Sequence, residues 1–338
     1  MKSSYYRSCT AVAPSSTANL GPGYDVFGLA LDALEDKVKI TRKSAAQGGK
    51  GSITIKMSSP ASVGSQIPED ARSNSAGLVV LKMAQDFGIR DELVVEVTKG
   101  VPAGYGMGSS AASAAAAAVA FNGLYRLKID GNRLVEYAAE GEVASAGARH
   151  YDNVSASVLG GFIISSVAAE AAGSSSSSRG GVPRFIRLEP PRDLVMIVAV
   201  PSVPVPAKKT EVARSILPKE VPLKSVVHNV SGAATIVAGF ALADVSIIAG
   251  GISDVIVEPA RKHLIPGYDK VRQNALAAGA LAVTISGAGP SMIAFMKGRK
   301  GAKKVAQAMA AGFGEAGVEK CRTFVCGPSK GARVVALS

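Results

Sequence analysis

Tryptophan is absent from this 338-residue chain, and aromatic residues reach only 5% of it. A core without large rings must be filled by many small aliphatic side chains, so Ala, Val, Ile and Leu are expected to carry it. Cysteine is scarce as well, with Cys9, Cys321 and Cys326 the only three. That number excludes a disulfide-built scaffold and fits reduced thiols, so a cytoplasmic location is expected. The Cys321-x4-Cys326 pair lacks metal spacing and a partner His and reads as structural. Charged residues make up 19% and hydrophobic ones 47%, which excludes general disorder. The opening MKSSYYRSCTAVAPSS has no continuous apolar run, so no secretory signal is expected. Residues 233–252 are long enough to question as a membrane span, but they hold Asp244, Ser246 and three glycines. A buried helix pair is expected there instead, and no membrane partner.

What is present is a net charge of +12 and 37 glycines. The basic residues come in ones and twos, such as Lys208-Lys209, Arg299-Lys300 and Lys303-Lys304, with no interleaved aromatics. No nucleic-acid partner is expected; the charge reads as a basic surface or as a field that attracts polyanions such as nucleotides. Abundant glycine points to tight turns or to backbone that must approach a ligand. At ~150 residues per domain the length suggests two domains or one large one. Short strands are predicted at 37–43, 52–57, 92–98, 194–200 and 281–285, with further strands near 162–166, 291–297 and 321–325. Helices are predicted at 74–87, 109–125, 132–146, 208–216, 223–249, 268–278 and 301–316. The pattern is α+β in mixed order, without internal repeats. Residues 171–183 are rich in Ser and Gly and read as a flexible loop between domains 1–170 and 184–338.

The most informative stretch is VPAGYGMGSSAA, residues 101–112, between a predicted strand and an Ala-rich helix. Gly104, Gly106 and Gly108 allow main-chain N–H groups to converge, and the helix start offers unpaired N–H groups and a positive dipole end. Together these favour an anion such as phosphate. Ser109 and Ser110 are expected to cap that helix, with hydroxyls able to reach a phosphate or a metal. No Lys follows the last Gly, so this is not a Walker A loop, and it is not G-x-G-x-x-G either. The plainer alternative for the stretch taken alone is a Gly-rich turn ending in a Ser cap.

This loop resembles the phosphate-binding motif of the GHMP kinases. Two more segments match in the same order: APSSTANLGPGYD, residues 13–25, resembles their first motif, and SGAGPS, residues 286–291, their third. The resemblance implies a two-domain α+β GHMP fold, ribosomal-S5-like in its N-terminal part and ferredoxin-like in its C-terminal part. It implies ATP as phosphoryl donor, Mg2+ as cofactor and a homodimer. The nucleotide-contacting residues it implies are Pro102, Gly104, Tyr105, Gly106, Met107, Gly108, Ser109, Ser110 and Ala111, with Gly287 and Gly289 from the third motif. Asn74 stands where the base would be met, although an Asn at a helix start is ordinarily a cap.

Four segments resemble the homoserine kinase branch more narrowly: NLGPGYD, HYDNV at 150–154, TEVARSILP at 210–218 and EPARKHLIPG at 258–267. An amino-acid kinase must hold an ammonium with carboxylate and amide oxygens, and a carboxylate with Arg. On this resemblance Asn19, Asp25, His150, Asn153, Thr210, Arg214 and Arg261 face the substrate. Singly, each has a plainer reading: Asp25 as a helix cap, Arg214 as a surface charge, His150 as a half-buried hydrogen-bonding residue. Ser110 and Glu142 are the expected metal ligands, with Glu140 the competing carboxylate. Asn153 stands where relatives carry a catalytic Asp, and Ser16 where they carry a supporting Lys. Direct in-line transfer to the homoserine hydroxyl without a carboxylate base is therefore implied, a step of threonine biosynthesis, with catalysis by Asn153, Ser110 and Glu142. The rivals are another GHMP small-molecule kinase, of shikimate or mevalonate type, and a non-catalytic nucleotide-binding regulator. Three departures stand out: Ser155-Ala156 replaces the usual Ala-Pro, Met107 a Leu, and a Ser run at 174–178 looks inserted.

Overall fold

A computed structural model of the chain describes residues 5–43, 51–58, 67–166, 183–206 and 209–338. The Ser run at 174–178, and all but the last residue of the expected linker at 171–183, lie outside the described residues. The strands are β1 (Ser8–Asn19), β2 (Gly23–Lys43), β3 (Ile53–Ser58), β4 (Glu92–Thr98), β5 (Phe162–Ser166), β6 (Arg184–Leu188), β7 (Leu194–Pro201), β8 (Ala282–Ile285), β9 (Met292–Lys297), β10 (Cys321–Cys326) and β11 (Arg333–Leu337). The helices are α1 (Ser75–Asp86), α2 (Ser109–Tyr125), α3 (Gly131–Ala146), α4 (Asp152–Leu159), α5 (Lys209–Ser215), α6 (Leu223–Ala241), α7 (Val245–Gly251), α8 (Val257–Arg261), α9 (Tyr268–Ala277) and α10 (Ala302–Gly314).

Among the described residues there are two sheets. One runs β11-β1-β2-β4-β3, with β5 and β6 branching from β2; the other runs β10-β7-β9-β8. Three apolar layers result. The first lies between the larger sheet and α1 to α4, where Val38, Ile40, Val95 and Val97 meet Phe121, Leu124 and a run of alanines on α2. Ala114 to Ala118 are all fully buried. Their small side chains let α2 pass between the sheet and its sister helices at close range. The second layer joins the two sheets, with Leu29, Leu31 and Phe162 against Met196, Val198, Phe295 and Phe240. The third lies on the far side of the smaller sheet, beneath α9 and α10. Strand β7 borders two layers: Leu194, Met196 and Val198 face one, Val195, Ile197 and Ala199 the other. A strand buried on both faces reads as the unbroken apolar run seen in the sequence.

Several predicted elements differ. The helix predicted over 223–249 is two helices, because Ala243 turns the backbone to φ 53° and Asp244 caps α7 through the N–H groups of Ser246 and Ile247. This pair is buried on one face only, since Leu223, Val227 and Val230 of α6 are exposed. Among the described residues no helix is long and apolar enough to cross a membrane. Residues 152–159 form a helix, α4, not foreseen in the sequence. Strands β6 and β11, both beyond residue 183, pair with β5 and β1 in the larger sheet.

Candidate active site

The three glycine-bearing motifs meet at one place. Residues 20–22 turn β1 into β2, residues 99–108 lead β4 into α2, and residues 286–291 join β8 to β9. Hydrogen bonds lock them together. Ser16 N donates to the Met107 carbonyl at 3.1 Å, and Ser286 Oγ to the Gly106 carbonyl at 2.7 Å. Asn19 Nδ2 donates to the Gly287 carbonyl at 2.9 Å. Gly106 has φ 75°, and a Cβ there would sit 2.1 Å from the Ser286 carbonyl oxygen. Only glycine fits so close an approach in that conformation. Around this junction lies a cleft of about 620 Å³.

The wall of the cleft at the start of α2 differs from the expected one. The helix begins at Gly108, at φ 66°, with no side chain capping it. Ser109 Oγ donates instead to the Val101 carbonyl at 2.8 Å, and Ser110 Oγ to Glu142 Oε1 at 2.6 Å. The expected Ser cap is therefore corrected: tertiary partners draw both hydroxyls away, and the first-turn N–H groups keep their positive field toward the cleft. Glu142 is buried, and that burial raises its carboxyl pKa to about 7 against the lowering effect of Ser110. Glu140, the competing carboxylate, pairs with Arg149 at 2.7 Å instead.

The acceptor candidates line the same cleft. Asp25 and Arg214 face each other in a bidentate pair, at 2.9 and 2.8 Å. Arg261 is nearly fully buried beside them and donates through Nε to the Ala213 carbonyl at 2.9 Å. Both guanidiniums lie over the ring of Tyr24, that of Arg214 at 5.4 Å and that of Arg261 at 5.1 Å from its centroid. Burial, and then the charge of Arg214, hold the His150 pKa below its ordinary value. Asn153 Oδ1 accepts from Ser16 Oγ at 2.9 Å, next to Gly108 at the head of α2.

The cleft brings together Asn19, Asp25, His150, Asn153, Thr210, Arg214 and Arg261, and with them Ser110 and Glu142. From the nucleotide-contacting set it is lined by Asn74, Gly104, Gly106, Gly108, Ser109 and Gly287. Pro102, Tyr105, Met107, Ala111 and Gly289 do not line it. Met107 and Ala111 are core residues, and Tyr105 donates its hydroxyl to the Val203 carbonyl at 3.1 Å. Side chains that close a loop onto its own core are not available to a ligand. Asn74 reaches the cleft, but its amide is committed to capping α1: Oδ1 accepts from the Ala76 and Gly77 N–H groups, and Nδ2 donates to the Pro68 carbonyl.

Among the lining residues that sequence reasoning missed are Tyr24, Lys99, Asp152 and Lys209. Asp152 is buried; burial, then the charge of Asp25, push its carboxyl up to about 6. It stands within the HYDNV match and was within reach of that signal. Lys99 forms a fully buried ion pair with Asp36, whose other oxygen accepts from the Gly100 and Val101 N–H groups at 2.9 and 3.0 Å. Lys99 also donates to the Ser109 carbonyl at 2.8 Å, so this pair ties both ends of the glycine-rich loop to β2.

The glycine-ringed start of α2 suits a phosphate chain, and an acid with two guanidiniums in the same cleft suits a small charged acceptor, the two needs of a small-molecule kinase. Comparison with known proteins narrows that class. Residues 74–161 match the family model of the GHMP kinases N terminal domain, and residues 241–315 that of the GHMP kinases C terminal region. A homoserine kinase of Aeropyrum pernix is 40% identical over 301 residues, covering 88% of this chain and 90% of that protein. One of Thermoplasma volcanium is 36% identical over 284 residues, covering 84% and 83%. The crystal structure of homoserine kinase from Cytophaga hutchinsonii has a TM-score of 0.85 at 33% identity, over 99% of both chains. Mevalonate kinase of L. major shares the fold, with a TM-score of 0.67 at 14% identity. The chain belongs to the GHMP kinase family and, within it, to the homoserine kinases.

Proposed function

We propose that this protein transfers the γ-phosphoryl group of ATP to the side-chain hydroxyl of L-homoserine, giving O-phospho-L-homoserine and ADP. The observation that carries this reading is the Asp25–Arg214 pair with Arg261 beside it, in the same cleft as the head of α2. An acid and two guanidiniums suit a zwitterion: ammonium to Asp25, carboxylate to Arg214 and Arg261. Mevalonate and shikimate carry a carboxylate but no ammonium, and would bring Asp25 no cation in exchange for Arg214.

The triphosphate fits the N–H groups of residues 106–111 and the dipole of α2. Mg2+ is the metal this chemistry calls for, and it takes oxygen ligands, commonly one or two from protein with the rest from phosphate and water. The adjacent hydroxyl and carboxylate of Ser110 and Glu142 fit that need and would hold it. When bound, Mg2+ neutralises charge on the phosphates. Asn153, with Ser16 behind it, orients the attacking hydroxyl. The hydroxyl oxygen bonds to γ-phosphorus as the bond to the β-phosphate oxygen breaks, and the proton passes to a phosphate oxygen or to water. Asp152→Asn tests the absence of a carboxylate base. The proposal expects kcat to stay within about tenfold, whereas a loss of ~10²–10⁴-fold is what removal of a positioned base causes.

The chain divides in this reading at residues 171–183 into units 1–170 and 184–338, the second lending β6 and β11 to the larger sheet. Leu223, Val227 and Val230 on α6 support a homodimer, and the free thiols of Cys9, Cys321 and Cys326 support a cytoplasmic setting. Light scattering behind size exclusion tests the dimer; a monomer at micromolar concentration contradicts it. The function itself is tested by ADP release with homoserine, mevalonate and shikimate in parallel. Turnover with homoserine alone is expected. Turnover confined to a carboxylic acid lacking an amine favours the rival kinases, and tight ATP binding with no turnover favours a regulator.

A further inference from the structure

The one cation of the segment leading into α2, Lys99, is neutralised by the buried Asp36, and Ser109 follows the last glycine where a Walker A loop has Lys. A second cation reaches the loop from α5. Lys209, the first residue of α5, donates through Nζ to the Gly104 carbonyl at 2.9 Å and to the Gly289 carbonyl. Gly104 belongs to the phosphate loop and Gly289 to the turn between β8 and β9. The ammonium therefore sits in the gap between the two glycine turns, and it lines the same cleft as Gly106, Gly108 and Ser110.

We propose that Lys209 binds the β- and γ-phosphates of the nucleotide, supplying from the C-terminal half the positive charge that the phosphate loop lacks. This inference rests on the kinase reading above and deepens it. An ammonium has three donors. Two are taken by the Gly104 and Gly289 carbonyls, which leaves the third for a phosphate oxygen without either bond breaking. Both partners are carbonyl dipoles rather than carboxylates, so the charge of Lys209 is not neutralised by them. Burial, and then the nearby Arg261, lower the Lys209 pKa to about 7. An anion alongside reverses both effects, so a phosphate chain arriving at the head of α2 holds Lys209 in its charged form. Because the same ammonium touches both glycine turns, its bond to phosphate would also fix the β8–β9 turn against the phosphate loop.

The plainer alternative is a staple that holds the two turns together and never touches ligand. Calorimetric titration of ATP and of AMP into the wild type, Lys209→Met and Lys209→Arg separates the two roles, with thermal midpoints measured alongside. AMP shares the base and sugar but has no β- or γ-phosphate. The expected result is ATP affinity about 10- to 100-fold weaker in Lys209→Met, the worth of one charge-assisted hydrogen bond, with AMP affinity within about twofold. Lys209→Arg should recover part of the loss. Equal weakening of ATP and AMP, or an unchanged ATP affinity, overturns the inference while leaving the kinase reading intact. A wild-type protein that binds no ATP overturns both.

Discussion

Removing the carboxylate of Asp36 should loosen the phosphate loop from its base. Asp36 is fully buried on β2 and accepts hydrogen bonds from Lys99 Nζ, Ser113 Oγ and the N–H groups of Gly100 and Val101. Lys99 is itself only 3% exposed. Asp36→Ala leaves a buried ammonium without a counter-charge and two main-chain donors without an acceptor. Breaking one side of a buried ion pair costs about 3–5 kcal/mol, and the two stranded N–H groups add to that in the single variant as well. Lys99→Met on the Asp36→Ala background removes the stranded charge, leaving mainly the N–H penalty of ~1–3 kcal/mol per group. The double variant should therefore be more stable than Asp36→Ala alone, the opposite of additivity. Urea unfolding followed by circular dichroism measures both, with ΔG taken from the midpoint and slope. The effect on function has its own direction: the KM for ATP should rise with the KM for homoserine nearly unchanged, because the pair braces the loop and not the acceptor wall. A cost below about 1 kcal/mol for Asp36→Ala, or additive single and double variants, refutes the reasoning.

Asp25→Asn should raise the KM for homoserine by about 10- to 100-fold, the worth of one charge-assisted contact, with little change in the KM for ATP; steady-state kinetics in each substrate checks this. Gly106→Ala forces a Cβ onto the Ser286 carbonyl oxygen at a φ of 75°, and should abolish ATP binding measured by calorimetry while β4 and α2 remain folded by circular dichroism. The raised Glu142 pKa has a defined sign: the folded state holds its proton while the unfolded chain, with an ordinary value of 4.5, has lost it. Stability is thus full below that value and falls as pH rises toward about 7, in the absence of a bound cation. Glu142→Gln should flatten that fall, as urea midpoints at pH 5 and pH 7.5 will show; an unchanged slope contradicts the assignment.

Much of the site was legible because its signals are local. Glycines at 104, 106 and 108 before an Ala-rich helix, and the NLGPGYD and SGAGPS turns, state their backbone needs within a few residues. Strands β4 and β7 were legible for the same reason, as short β-branched runs. What escaped depends on distant partners. Asp36 and Lys99 are 63 residues apart, and nothing near either announces the other. Ser109 and Ser110 have the local pattern of a cap, yet Val101 and Glu142 take their hydroxyls. Lys209 looked like one more surface cation until α5 placed it between two glycine turns. Strand β11 is exposed along its whole length and exists through its pairing with β1, more than 300 residues earlier in the chain, so its own sequence carries little pattern. Helix α4 was hidden because HYDNV reads as a binding loop, whereas Asp152 in fact opens a helix.

Where a zwitterion binds relative to the head of α2 decides whether Asp25, Arg214 and Arg261 form the acceptor site. Diffraction from crystals grown with homoserine and a non-hydrolysable ATP analogue measures this directly. The expected map has the triphosphate on the N–H groups of residues 106–111, the ammonium against Asp25, the carboxylate between Arg214 and Arg261, and the hydroxyl turned toward the γ-phosphate beside Asn153. A map in which the Asp25–Arg214 pair stays closed and the amino acid lies elsewhere contradicts it.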